Sequence, residues 1–169
     1  MTGFASEATT GSVNFSGKVV PSTCTISSDS LNQIVDLEQA QTGQMRAKGQ
    51  VGKTRFFNID LENCPEASLA DITLEDTERA RMTEDPGKFL VNVGSARGVA
   101  IDIHYLNLET KSDTSETLDF SGTSVVIPLT KVVNGKMCSK FSAKMVRIAN
   151  ATVTAGNVSS QIKYQVSYK

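Results

Sequence analysis

Apolar residues recur at every second position along most of this chain, the spacing of half-buried strands. The run 54–61 carries Phe57, Ile59 and Leu61 on one face and Phe56, Asn58 and Asp60 on the other. The run 98–106 alternates Val99, Ile101, Ile103 and Tyr105 with Ala100, Asp102, His104 and Leu106. Further strands are predicted over 13–26, 33–37, 69–74, 124–129, 140–148 and 159–169. Turn chemistry separates them at Asp85-Pro-Gly87, at Asn134-Gly135 and over the polar stretch 109–117. The best helix candidate is 37–48, but Gly43 and its polar composition reduce it to a loop or a short helical turn. Many short strands with few helices predict an antiparallel sandwich.

The two ends carry the cleanest alternation. Near the C-terminus, Gly156, Val158, Ser160, Ile162, Tyr164, Val166 and Tyr168 share one face, which predicts a half-buried strand up to the last residue. Near the N-terminus, Gly11, Val13, Phe15, Gly17 and Val19 share a face opposite Ser12, Asn14, Ser16 and Lys18. Nine residues at about 3.3 Å each span about 30 Å, enough to cross a sandwich. Burying Val13, Phe15 and Val19 contributes about 5–9 kcal/mol gross. Periodicity alone makes both segments ordinary strands of their own domain. Residues 1–10 are small and polar and are expected to be flexible.

Composition narrows the function. The chain has 169 residues, 39% of them hydrophobic, which suits one globular domain with a tail. A net charge of -1 gives no electrostatic reason to bind nucleic acid or an anionic membrane. No apolar run is long enough to span a bilayer, so direct membrane insertion is not expected. Met1-Thr-Gly-Phe4 lacks the basic and apolar regions of a signal peptide, which leaves open a cytoplasmic chain or a mature form with a new initiator Met. The cysteines are Cys24, Cys64 and Cys138, with no C-x-x-C pair and one His, so no zinc site is expected. A disulfide between two of them would imply an oxidising compartment.

Four stretches together resemble the pilins of bacterial chaperone–usher fimbriae. Gly11-Ser-Val-Asn-Phe-Ser-Gly-Lys-Val-Val20, followed by Cys24, looks like the family's N-terminal extension leading into its first strand. Phe56-Phe-Asn-Ile-Asp-Leu-Glu-Asn-Cys64 looks like the strand that ends at the second cysteine. Ala96-Arg-Gly-Val-Ala-Ile-Asp-Ile103 resembles a recurrent mid-domain strand. Gly156, fourteenth from the end, and Tyr168, second from the end, resemble the C-terminal signature.

The resemblance implies an incomplete immunoglobulin-like β-sandwich, all-β, that lacks its last strand and is completed by a donated one. It divides the chain into an extension at 1–19 and a pilin domain at 20–169. Donor residues would be Gly11, Val13, Phe15, Gly17 and Val19. Gly17 would fit a shallow pocket, and Val19 would seat where strand exchange begins. The acceptor groove, which is also the chaperone-recognition strand, would use Gly156, Val158, Ile162, Tyr164, Val166 and Tyr168. Cys24 would pair with Cys64. Implied partners are neighbouring pilin subunits in a head-to-tail polymer, a periplasmic chaperone and an outer-membrane usher. The implied location is an extracellular fimbrium on a bacterial surface, reached through the periplasm. The alternative is a minor or adaptor pilin that itself binds a host glycan or protein. A chain without Trp and with 6% aromatics offers no evident sugar-stacking site.

The remaining chemistry is sparse. Cys138 departs from the two-cysteine pattern and reads as a small buried or half-buried hydrophobe or as a link to another chain. His104 reads as an exposed or hydrogen-bonded structural histidine. The sequons at Asn14, Asn150 and Asn157 read as chance in a Ser- and Thr-rich bacterial chain. With no nucleophile elbow, phosphate loop or metal cluster in the sequence, no catalysis and no cofactor are expected.

Overall fold

The computed structural model describes residues 9–19, 23–45, 52–106, 115–122, 124–148 and 151–169. In chain order the elements are β1 (Thr25–Ile26), α1 (Ser28–Leu31), β2 (Arg55–Glu62), β3 (Ala70–Asp76), β4 (Val99–Leu106), β5 (Ser115–Thr117), β6 (Val125–Leu129), β7 (Met137–Arg147) and β8 (Ile162–Tyr168). Single 3-10 turns lie at Thr42–Gln44 and Arg79–Arg81. Among the described residues no helix is long and apolar enough to cross a membrane.

Two antiparallel sheets face each other. One has the order β1-β2-β7-β4-β5, the other β6-β3-β8. The core lies between them because period-two alternation sends the apolar half of each strand inward. Ile59 and Leu61 of β2, Ile72 and Leu74 of β3, Ile127 and Leu129 of β6, and Met137 and Phe141 of β7 are all buried there. Phe141 stacks on Phe57 with ring centroids 5.1 Å apart. The Asn134-Gly135 turn has φ of 52° and 73°, the left-handed pair of a tight hairpin that its residue types favour.

Several sequence expectations need correction. The alternation over 98–106 predicts one wet face, yet β4 is buried on both faces from Val99 to Ile103. A second small cluster explains this: Ala100, Val146 and Ile148 pack with Phe89 and Ala151 on the outer side of the sheet. Among the described residues the predicted strand 13–26 is in strand at Thr25–Ile26 alone, its positions 20–22 lying outside them, and 33–37 forms no strand. The long β7 begins at Met137 rather than at 140. The polar stretch 109–117 contains β5 at its end, and its first six positions lie outside the described residues. Also outside them are most of the tail 1–10, residues 46–48 of the helix candidate and the sequon at Asn150.

Candidate functional site

β8 is an edge strand. It pairs with β3 on one side, Ala70 opposite Tyr168 and Asp76 opposite Ile162, and among the described residues with no strand on the other. The register fixes which backbone groups are left over. Lys169 N–H donates to Leu69 O, and Thr77 N–H donates to Gln161 O. The odd-numbered residues of β8 therefore bond toward β3. In an antiparallel ladder the even-numbered residues then aim their N–H and C=O groups at the open side. Those are Ile162, Tyr164, Val166 and Tyr168, whose side chains point inward and are half-buried against the core. An unpaired row of donors and acceptors beside apolar side chains is a template for another strand.

Across this open side runs the segment from Cys24 to Leu37. It is tied to the larger sheet by Ser27 N–H on Asp60 O (2.9 Å) and Asp60 N–H on Ser30 Oγ (3.0 Å). Gln33 Nε2 donates to Asn58 O at 2.6 Å. A disulfide joins Cys24 to Cys64 and closes a sequence separation of 40. Between this segment and β8 lies a cleft of about 270 Å³ with Phe57, Ile59, Leu74, Ile101 and Ile103 among its lining. Leu31, which lines the cleft, is half-exposed, and Ile34 stands 98% exposed on the same segment.

Two tyrosines of β8 reach over the open side. The Tyr164 hydroxyl donates to Ser30 O at 2.5 Å, and the Tyr168 hydroxyl donates to Cys24 O at 3.1 Å. Burial pushes both phenols above their ordinary pKa, for Tyr168 against a smaller opposite pull from its bond to Cys24. Both hydroxyls therefore keep their protons, and remain donors, through the neutral range.

Residues 11–19 lie in no strand, and every one of them is exposed. Val13 is 77% exposed, Phe15 92% and Val19 100%. Among the described residues none of 9–19 makes a hydrogen bond to the rest of the chain. A Cβ built on Gly11 or Gly17 would meet nothing within 4 Å.

The sequence-predicted groove residues do not all meet. Ile162, Tyr164, Val166 and Tyr168 share the inward face of β8. Val158 precedes the strand and packs half-buried against the core. Gly156 does not lie in the cleft. It sits against the backbone of Ser95 and Ala96, where an added Cβ would come within 2.4 Å of Ala96 N. The reason is that 157–160 leaves strand geometry to bond the loop at 92–96: Ala96 N–H donates to Asn157 O (3.0 Å) and Val93 N–H to Ser159 O (2.9 Å). Gly156→Ala should therefore destabilise the domain by about 1–3 kcal/mol, the usual cost of forcing extra volume into a packed site. Urea midpoints compared with Gly122→Ala, which meets nothing, check this. Equal midpoints would show that the approach is not tight.

The segment 28–37 is the wall that sequence reasoning missed. Its residues Ile34, Val35 and Leu37 fall in the run 33–37, whose pattern predicts a short strand, and Leu31 falls in no predicted element. Elsewhere, His104 Nε2 lies 2.9 Å from Asp102 Oδ2 and 3.0 Å from Thr117 Oγ1, a hydrogen-bonded position in the sheet. Cys138 is a free, exposed thiol rather than a buried or half-buried hydrophobe. Desolvation first, and then the neighbouring Asp60, push its pKa up. No group of three metal-ligating side chains occurs among the described residues.

Residues 13–169 match the family model described as "Fimbrial protein". The chain is 32% identical over 169 residues to the probable major fimbrial subunit LpfA of Escherichia coli O157:H7, covering 98% of this chain and 88% of that one. Among solved structures, a chain from a chaperone–usher pilus superposes with a TM-score of 0.66 at 21% identity, covering 95% of this chain and 96% of that chain. The P pilus rod subunit PapA superposes with a TM-score of 0.64 at 19% identity, covering 86% and 99%. At those identities the likeness speaks for the fold: an immunoglobulin-like sandwich that lacks a strand.

Proposed function

This chain belongs to the fimbrial protein family and is a structural fimbrial subunit, and we propose that it polymerises by strand donation. Residues 11–19 of one subunit fill the open side of β8 in the next. The observation that carries the reading is a mismatch within one chain. β8 and its apolar cleft lack a strand, while an alternating apolar segment of suitable length lies in no sheet and fully exposed. The donor's main chain supplies hydrogen bonds to Ile162, Tyr164, Val166 and Tyr168, and its inward side chains seat over the core. The contact is head-to-tail and not self-complementary, so it extends into an open filament.

Before assembly the same exposed edge needs cover, because an unpaired apolar edge aggregates. A periplasmic chaperone that lends a strand to β8, and an outer-membrane usher that passes subunits outward, fit that need. The filament then stands outside the cell. The alternative of a minor subunit that binds a host glycan or protein is not the one the relatives favour.

Gly17→Leu tests the donor assignment. A leucine there should overpack the groove and weaken each junction by about 1–3 kcal/mol. Filaments, scored by electron microscopy, should disappear while chaperone-bound monomer persists. Normal filaments from Gly17→Leu would remove residues 11–19 from the donor role.

A further inference from the structure

We propose that Pro128 is a specificity-determining residue for assembly: it closes the second long sheet edge to incoming strands and so keeps the filament unbranched. The inference rests on the strand-donation reading above and adds the reason that each subunit takes up a single strand.

The two sheets end in four edge strands, β1, β5, β6 and β8. Among the described residues β1 has two residues and β5 three, too few to hold a segment as long as 11–19. β6 has five and β8 seven. Both long edges belong to the same sheet and flank β3. A donor that recognised a bare edge through main-chain hydrogen bonds alone would find two of them. A subunit that took a strand at each would start a branch.

The register shows which groups of β6 face outward. The odd-numbered residues of β8 bond toward β3 and engage Asp71, Thr73 and Glu75 opposite them. The alternate residues Ala70, Ile72 and Leu74 then bond in the other direction, to Leu129, Ile127 and Val125 of β6. The backbone groups left at the outer edge of β6 are those of Val126 and Pro128. Val126 is 52% exposed, Pro128 is exposed as well, and among the described residues no strand lies beyond them.

Pro128 disables that edge in two ways. It has no N–H, so the edge keeps one donor, the N–H of Val126. Its ring also stands where the missing N–H would point and holds an approaching carbonyl away. The ladder to β3 does not need a proline here, because any other residue at 128 would turn its N–H to solvent. Of the four prolines in the chain, Pro128 is the one that lies within a described strand. β8 contains none, and Ile162, Tyr164, Val166 and Tyr168 each present both an N–H and a C=O to the open side. One edge of the sheet is therefore complete as a template and the other is interrupted.

Amide hydrogen exchange tests this on the full, isotope-labelled chain with an excess of unlabelled peptide of residues 9–20, which fills β8 and blocks growth. In the wild-type chain the peptide should slow exchange at Ile162, Tyr164, Val166 and Tyr168 by at least about 10-fold, as new ladder bonds do. Val126 should exchange as before. Pro128→Thr restores the N–H in a residue that suits a strand. In that variant the peptide should also slow the amides at positions 126 and 128, and the intact chains should form branched filaments in electron micrographs. Adding Val126→Pro to Pro128→Thr puts a proline back at the other outward position. The amide at 128 should then lose its protection and the filaments their branches. Pro128→Ala supplies the same N–H and takes the place of Pro128→Thr should that variant not fold. Unprotected amides at 126 and 128 in the single variant, or a protected Val126 in the wild-type chain, overturn the proposal. Absence of protection along 162–168 in the wild-type chain is a separate result: it overturns strand donation, and this proposal with it.

Discussion

Deleting residues 1–19 is expected to abolish polymerisation completely while leaving a domain that still accepts a strand. The described part of this segment, residues 9–19, makes no hydrogen bond to the rest of the chain, and Val13, Phe15 and Val19 are almost wholly exposed. Its removal therefore takes no packing from the sandwich, and domain stability should change by less than about 0.5 kcal/mol, as for surface changes generally. What is lost is the gross 5–9 kcal/mol, or about that, from seating three apolar side chains in a neighbour, together with the main-chain ladder along β8. Without those terms head-to-tail growth has no driving force. The truncated chain also makes a positive prediction. Mixed with intact chains, it takes a strand and offers none in return, so it caps growing ends. Filament length measured by electron microscopy should fall as its share of the mixture rises. Filaments of unchanged length, or a truncated domain that unfolds markedly earlier in urea, would show that 11–19 is a strand of its own domain.

The elements that the sequence disclosed best are those with one wet and one dry face. Phe57, Ile59 and Leu61 of β2 and Ile162, Tyr164, Val166 and Tyr168 of β8 alternate without interruption, and the structure turns those faces inward. Alternation fails where both faces are covered. At β4 the outer residue Ala100 is buried under contacts made from distant parts of the chain, which no local pattern announces. It also fails to say with what a strand pairs. Residues 11–19 and 162–168 alternate equally well, yet one is docked against β3 and the other lies free. The cleft wall at 28–37 was the least legible part. Its shape comes from single tethers to β2, such as Gln33 Nε2 on Asn58 O and Ser30 Oγ on Asp60 N–H. Gly156 shows the same limit. It has the spacing of a groove residue, but the backbone leaves the sheet at that point to bond the 92–96 loop.

Breaking the disulfide should have the largest effect of any change within the domain. Replacing Cys24 and Cys64 together by Ala reopens a loop of sequence separation 40. In the chain-entropy account this costs about 4 kcal/mol. That is a large fraction of the 5–15 kcal/mol, or about that, which holds typical domains together. A domain still missing a strand has less than most in reserve. The loss also falls on the functional wall. β1 contributes only Thr25 and Ile26 to the ladder with β2, so the covalent tie is the principal anchor at the start of the wall that runs to Leu37. Cys24 O is in addition the acceptor for the Tyr168 hydroxyl, so the end of β8 loses a defined partner when that wall moves. Thermal unfolding with and without reductant should show a large drop in midpoint for the reduced wild-type chain, matched by the double Ala variant under both conditions. Uptake of the peptide of residues 9–20 should fall in parallel, because the strand needs both walls at a fixed distance. A reduced chain that unfolds within about 1 kcal/mol of the oxidised one and takes up the peptide equally would show that the hydrogen bonds of Ser27, Ser30 and Gln33 suffice to hold the groove open.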